Sequence, residues 1–443
     1  IVPQADPERR YGRLREGMKR AERLEWFNAA RYGLFIHWGL YAQLGGIWNG
    51  VHYPHGTEWI MRNAQIPLAE YRKLAETFDP VDFDAEAWAS AAESFGSKYL
   101  CFTAKHHDGF AMYDSKVSDY NIMNTPFGRD AVKELAEACR RHDIRFCIYY
   151  SQMQDWEDPD GDGNTWDFKP EEKHFERYFE NKVKPQVREL LTNYGEIGMI
   201  WFDTPYDMPV RLCRELQQYV HSIQPDCVIS GRIGYGLGDF REMGDNEIPV
   251  LAYQGSWETP MTLNNTWGYS KTDENWKTPQ TVIKMLIDVV GKGGNLLMNV
   301  GPDELGRFPE GSTRVLRTIG KWLEKNGESI YGAGACADFP YQIRWGGITA
   351  RPRTMYLHLL NAYEIPDELK LCNLETKVRR VYLLETGEEL KFFQSYEIAR
   401  DEYRFRVVMP KVPADTLDLV VVAELEEEPK IHSIYMNFDH VKD

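Results

Sequence analysis

Three histidines, an aspartate and an arginine stand at the ends of apolar runs in this 443-residue chain, and their types suit the handling of a polar, hydroxyl-bearing ligand. Asp203 closes the run Ile197–Phe202, so its carboxylate falls on the same side of a strand as Trp201, two residues earlier. A helix N-cap is the competing reading, because Thr204 and Pro205 follow and Pro209 opens a helical pattern. His37 lies in IHWG, and His106 with His107 lies in KHHDGF. Neighbouring side chains on a strand point to opposite sides, so the two adjacent histidines do not readily share an ion, and no metal is expected. Each imidazole alone reads as a buried structural histidine; as a set they offer donors for hydroxyls. Glu58 and Trp59 sit in the long loop after the first strand, and Arg232 ends a later run. Residues Asp158 to Gly163 (DPDGDG) open like a calcium-binding loop, but Lys169 occupies the twelfth position, where a bidentate Glu is required. An acidic surface loop near the site is the preferred reading.

The elements that must position these residues follow from periodicity. Short apolar runs alternate with amphipathic stretches from Arg31 to about Gly301, as in βα units around a parallel sheet. The strands are Gly33–Gly39, Lys98–His106, Arg145–Ser151, Ile197–Asp203, Cys227–Arg232, Val250–Ser256 and Asn295–Gly301. Helix candidates between them are Asp84–Ser94, Asp130–His142, Pro170–Tyr194, Pro209–Ile223 and Pro279–Val290, several with Asp or Pro at the start. Seven strands point to a (β/α)8-type, TIM-like barrel with one strand missed. The polar and aromatic residues gather at the C-terminal strand ends, where barrel active sites are built, with Trp38, Trp59, Tyr150, Trp201 and Trp267 all placed near the mouth. No GxGxxG opens the first βα turn, so a dinucleotide site has no support. After the helix Arg314–Gly327, alternating runs at Arg353–Leu359, Val378–Leu384, Tyr403–Val408 and Thr416–Val422 predict a C-terminal all-β sandwich. The expected division is 1–335 for the barrel and 336–443 for the β domain. Glu424–Glu428 reads as a solvated acidic patch.

Composition narrows the partners. The formal charge of −16 disfavours nucleic acid, and no apolar run is long enough to cross a bilayer. The 13 Trp, 25 Tyr and 20 Phe suit sugars, although a well-packed core has the same signature. Seven scattered Cys with no CxxC pair argue against a disulfide framework. The first residues carry no export signal, which favours the cytoplasm unless a signal was removed, and the Asn264-Asn265-Thr266 sequon then reads as incidental. The oligomeric state stays open, a homo-oligomer included.

HWG at 37–39, EW at 58–59, KHHDGF at 105–110, WFD at 201–203, GR at 231–232, WET at 257–259, WGY at 267–269 and GKGGNLLMNVGP at 291–302 together resemble the α-L-fucosidases of glycoside hydrolase family 29. The motifs match in order and spacing over roughly residues 20–335 and are jointly specific. The resemblance implies a catalytic barrel followed by a β-sandwich, and a retaining exo-hydrolase that cleaves terminal α-L-fucose from oligosaccharides or glycoconjugates without a cofactor. It makes Asp203 the nucleophile. His37, Glu58, Trp59, His106, His107, Tyr150, Trp201 and Arg232 match pocket positions, and Trp267 matches an aromatic near the C5 methyl.

A retaining mechanism needs a second carboxyl roughly 5–5.5 Å from the first. Asp239, Glu242, Asp245, Glu247 and Glu258 are the candidates. Asp245, in MGDNEIP, is favoured because that segment precedes WET where family members often carry the acid/base, and its 42-residue step from Asp203 resembles that of several members. Glu258 is the rival and Glu247 a distant third. Two other readings stay open: a glycosidase of related specificity, such as one for α-L-galactosides, and a fucose-binding, lectin-like protein without turnover.

Overall fold

The computed structural model describes residues 7–337, 339, 343–360 and 367–433. The chain forms two compact units. The first runs to Glu247 and takes in Gly255–Lys277 and Asn295–Arg317; the second comprises Ile248–Gln254, Thr278–Gly294 and the chain from Thr318.

The first unit is built on eight strands: β1 (Tyr32–Ile36), β2 (Tyr99–Lys105), β3 (Arg145–Tyr150), β4 (Met199–Phe202), β5 (Val228–Ile229), β6 (Arg241–Glu242), β7 (Trp257–Thr262) and β8 (Asn295–Val300). They form one sheet in the order β5-β4-β3-β2-β1-β8-β7-β6, every pairing parallel. This is barrel order with a seam between β5 and β6. Most strands are buried on both faces, as parallel sheets are, which is why they read as continuous apolar runs.

Two strands are missing from the sequence reading: β7, for which Val250–Ser256 stood in, and β6. The latter has only two residues, Arg and Glu, so no apolar run announces it. The run Val250–Ser256 is not a strand: Val250 is 88% and Leu251 78% exposed, and pairing starts only at Trp257. Cys227–Arg232 shortens to Val228–Ile229, because Gly231–Ile233 already turns as a short 3-10 helix. At the seam Gly231 allows close approach, since a Cβ there would stand 2.7 Å from the Glu242 nitrogen and 2.8 Å from the Phe240 oxygen.

Inward-facing Phe35, Tyr99, Cys101, Cys147, Tyr149, Met199, Trp201 and Leu297 fill the barrel. Leu24, Phe27 and Ala30 of the helix Pro7–Ala30 join the same core, with Phe27 stacked on Phe240 at 4.4 Å. Helices Ala85–Ser94 and Ala131–Arg141 start where Asp84 and Asp130 accept from Ala87 and Lys133 amides, caps worth about 1 kcal/mol each. The expected helix Pro170–Tyr194 starts as a short turn at Pro170–Glu172, is interrupted at Lys173 and His174, and then runs on from Phe175 to Asn193 through a wider turn at Phe179–Val183.

In the second unit, β9 (Gly346–Arg351), β10 (Thr354–Leu359), β12 (Val378–Leu383) and β15 (Leu419–Leu425) form one antiparallel sheet. The strands β11 (Glu368–Cys372), β13 (Phe392–Glu397) and β14 (Glu402–Val408) form another. Leu357, Val381 and Val421 of one share a core with Leu371, Phe405 and Val407 of the other, the sandwich the alternation predicts. The last strand lies three residues later than expected, so Glu424 is inside it, while Glu426 to Glu428 are exposed. Cys101, Cys139, Cys147, Cys213 and Cys227 are buried thiols outside any disulfide, and no described helix is long and apolar enough to cross a membrane.

Candidate active site

The C-terminal ends of the strands surround a cavity of about 90 Å³. Of the residues singled out in the sequence, His37, Glu58, Trp59, His106, Trp201, Asp203, Arg232, Asp245 and Trp267 line it, joined by Phe35, Thr204 and Pro260. A wider depression of about 480 Å³ at the other end, among Trp26, Lys98 and Arg145, lies before the strands and contains none of these groups.

Asp203 follows β4 directly and is buried. Its Oδ2 accepts from the Tyr149 hydroxyl at 2.8 Å, its Oδ1 from Arg232 Nη1 at 3.0 Å and from the Thr204 amide at 2.9 Å. Burial, the largest single effect, pushes the carboxyl up, but the charge of Arg232, His107 and the hydrogen bonds from Arg232 and Tyr149 together outweigh it, and the net displacement is below the ordinary value. The group is a buried carboxylate kept ionised.

Arg232 carries a second carboxylate. Its Nη2 donates to Asp245 Oδ1 and, at 3.1 Å, to the Met243 carbonyl, while its guanidinium lies 4.9 Å from the Trp201 ring centroid. Asp203 and Asp245 therefore grip the two terminal nitrogens of one guanidinium. Asp245 is the more open of the two, with 47% of its side chain exposed against 11% for Asp203. Its neighbour Asn246 has a left-handed φ of 59° and accepts from the Thr262 amide at 2.9 Å and hydroxyl at 3.2 Å, which ties this loop to β7.

Glu258 is held elsewhere. It lies within β7, fully buried, and accepts from the Tyr99 hydroxyl and, at 3.0 Å, from Trp201 Nε1, on the far side of Trp201 from the cavity lining. Burial raises its carboxyl to about 7 despite those donors. Glu242 pairs with it across β6 and β7, and burial followed by the charge of Glu258 raises Glu242 well above the usual range. Of the remaining candidates, Asp239 is committed to Arg23 at 2.8 Å and to the Ile229 amide at 2.9 Å. Glu247 offers its carbonyl to Thr259.

The histidines divide by partner. His37 Nδ1 meets Asn299 Oδ1 at 2.7 Å, and the Asn299 amide donates to the Trp267 carbonyl at 2.7 Å, which fixes the oxygen toward His37. His37 is thus protonated on Nδ1 and presents Nε2 as an acceptor, not the donor expected from sequence. His107 Nδ1 lies 2.6 Å from the Ser151 hydroxyl, which itself donates to the Gln154 carbonyl, so this ring has the same tautomer. Its Nε2 faces Asp203 Oδ2 at 3.5 Å. His107 stands just behind the cavity lining, edge-on to Trp59 at 4.9 Å. Burial lowers both rings to about 4 and His106 further, so all three are neutral near pH 7. Glu58, raised by burial to about 7, accepts from the Gly268 amide at 2.9 Å and the Thr266 hydroxyl at 3.3 Å.

Two aromatic residues expected at the mouth are elsewhere. Tyr150 alternates to the outer face of β3, where its hydroxyl donates to Gln186 at 2.8 Å and Lys105 lies 4.5 Å from its ring. Tyr149 is the residue that faces Asp203. Its parity with inward-facing Cys147 was the signal for it. Trp38 likewise points outward, donating to the Asp303 carbonyl at 2.9 Å and stacking on Phe83 at 5.2 Å.

The 158–163 loop is an acidic loop met by cations: Asp160 takes Arg177 on both oxygens, and Lys182 lies 3.8 Å from Asp158. Among the described residues no cluster of three His, Cys, Asp or Glu is arranged for a metal ion.

The family model described as alpha-L-fucosidase matches residues 2–328. Human plasma alpha-L-fucosidase is 30% identical over 330 residues, 69% of this chain and 68% of that protein. The crystal structure of alpha-L-fucosidase from Vibrio sp. strain EJY3 superposes with a TM-score of 0.87 at 34% identity, covering 93% of this chain and 74% of that one. The alpha-L-fucosidase from Lactobacillus casei in complex with its alpha-L-fucose product gives a TM-score of 0.65 at 41% identity, covering 69% of this chain and 99% of that one.

Proposed function

The chain belongs to the α-L-fucosidase family and is a glycoside hydrolase, and on that premise we propose that it is a retaining exo-enzyme acting on terminal α-L-fucosyl groups of glycans or glycoconjugates. The observation that carries this reading is the pair of carboxylates on one guanidinium at the cavity wall, one buried and ionised, the other open. In the first step Asp203 attacks C1 while the bond from C1 to the leaving oxygen breaks, and Asp245 gives that oxygen its proton. In the second step water attacks C1, its proton passes to Asp245, and Asp203 departs as a carboxylate. A proton on Asp245 cancels its ion pair with Arg232 and frees it to turn toward the leaving oxygen.

His37 Nε2, His106, Glu58 and Trp59 supply the polar contacts for sugar hydroxyls, and Phe35, Pro260 and Trp267 the apolar contact for a methyl group. The chemistry belongs to residues 1–335 and the β-sandwich to 336–443. Glu258, closed off by Tyr99 and Trp201, is a less suitable acid than Asp245. The test is hydrolysis of 4-nitrophenyl α-L-fucoside followed by NMR. Initial release of α-L-fucose, lost in Asp203→Ala, supports the reading; initial β-anomer, or full activity in the variant, refutes it.

A further inference from the structure

Two exposed tyrosines stand on the loops that leave the Asp203 strand and the Arg232 turn. Tyr206 lies three residues beyond Asp203 and Tyr235 three beyond Arg232, and they are 58% and 60% exposed, whereas Tyr149 and Trp201 inside the barrel are buried. The loops adjoin. Tyr235 donates its hydroxyl to the Met208 carbonyl at 2.9 Å, and a Cβ on Gly234 would stand 3.3 Å from the Pro205 Cβ.

The backbone of this patch is unusual for its residue types. Thr204 (φ 42°), Tyr206 (φ 36°) and Tyr235 (φ 52°) all occupy the left-handed region, which β-branched and bulky side chains avoid. Such conformations persist only where surrounding contacts impose them, and they concentrate at binding sites. Here the contacts include Gln154 Nε2 donating to the Thr204 hydroxyl at 2.9 Å. Neither tyrosine repays the strain by burial, so folding alone does not account for the arrangement. Because the Tyr235 hydroxyl is already committed to Met208, what this side chain offers is mainly its ring face.

Thr204 and Arg232 line the cavity, so these loops extend its wall outward, and Arg232 holds Asp245 at the same rim. We propose that Tyr206 and Tyr235 form a platform on which the leaving group, the pyranose ring carrying the fucosyl group, stacks with its C–H face. Flat rings with few torsions suit such a face. This assignment rests on the reading of the cavity as the fucosyl site.

The test compares two substrates in wild type and in the double variant Tyr206→Ala/Tyr235→Ala. One is α-L-fucosyl fluoride, whose leaving group cannot stack; the other is whichever fucosyl disaccharide, linked 1→2, 1→3, 1→4 or 1→6, the wild type cleaves best. The ratio of kcat/KM for disaccharide over fluoride is expected to fall about tenfold, chiefly through KM, and to recover in Tyr206→Phe/Tyr235→Phe. A ratio within about twofold of wild type overturns the platform, whether absolute rates fall or not. So does a ratio that drops with dilution of the wild type, which assigns the patch to a second copy of the chain. Absence of fluoride hydrolysis by the wild type is a separate result: it removes the fucosyl-site reading itself, and the platform with it.

Discussion

Tyr149 donates its phenolic proton to Oδ2 of Asp203 at 2.8 Å while its ring stacks on Trp201 at 5.5 Å, so the nucleophile candidate is oriented by a residue that is itself fixed by packing. Tyr149→Phe keeps the ring and removes one hydrogen bond to a charged group, worth about 1.5–3 kcal/mol. The expected loss in kcat/KM on 4-nitrophenyl α-L-fucoside is about 10- to 100-fold. Since this hydrogen bond helps to lower the Asp203 carboxyl, the acid limb of the pH profile should also move to higher pH.

Arg232→Met removes the cation shared by Asp203 and Asp245. Activity should fall by about two orders of magnitude or more, and stability by roughly 3 kcal/mol, because a buried carboxylate loses its partner. The sign with pH is definite. Asp203 is lowered in the folded wild type, so its contribution is present above the unfolded value of 3.8 and lost as pH falls through the folded one. Without Arg232 burial raises Asp203 instead, and thermal unfolding should show the variant more impaired at pH 7 than in acid.

Asp245→Asn and Glu258→Gln separate the two acid candidates. The first should abolish cleavage of natural glycosides yet retain partial activity on aryl fucosides, whose leaving groups need no proton. Equal turnover by this variant and wild type on both substrates would sink the assignment. The second sets an amide against two donors, Tyr99 and Trp201, and should cost roughly 1–3 kcal/mol of stability. Glu258 is raised from 4.5 to about 7, so its contribution is complete below 4.5 and is lost as pH rises through 7. Calorimetry across that window should show a shallower decline for Glu258→Gln.

Asn246→Ala tests the loop that carries Asp245. The variant loses two hydrogen bonds from Thr262 and places alanine in a left-handed backbone, whereas Asn246→Gly loses only the hydrogen bonds. Both should slow natural substrates more than aryl fucosides, by about tenfold, with alanine also lowering the melting temperature further than glycine.

The sequence carried the strand ends well because each apolar run stops at a residue with chemistry, as at Ile36 to His37 and Phe202 to Asp203. It was weaker where one residue of phase decides the outcome. Tyr149 and Tyr150 are both aromatic, and only alternation from Cys147 separates the inner face from the outer. Trp38 misled for the same reason, since a strand end does not say which way a side chain turns. Strand β6 was invisible because neither of its two residues is apolar, and Val250–Ser256 was taken in place of β7, which starts only at Trp257, because apolarity without pairing looks the same in one dimension. Glu258 lay in a motif, but being in a motif does not distinguish a group facing the cavity from one fastened behind it.

The open seam between β5 and β6 has a practical consequence for redesign. Residues 230–240 connect the two ends of the sheet without belonging to its ladder and deliver Arg232, whereas Asp245 comes from the loop that follows β6. Within 230–240, Ile233, Asp239 and Phe240 are buried, so a change of length is best placed at the exposed Tyr235 and Gly236. The loop after β6, which carries the proposed proton donor Asp245, is thus the side open to exchange, while Asp203 follows a strand paired on both sides and resists the same treatment.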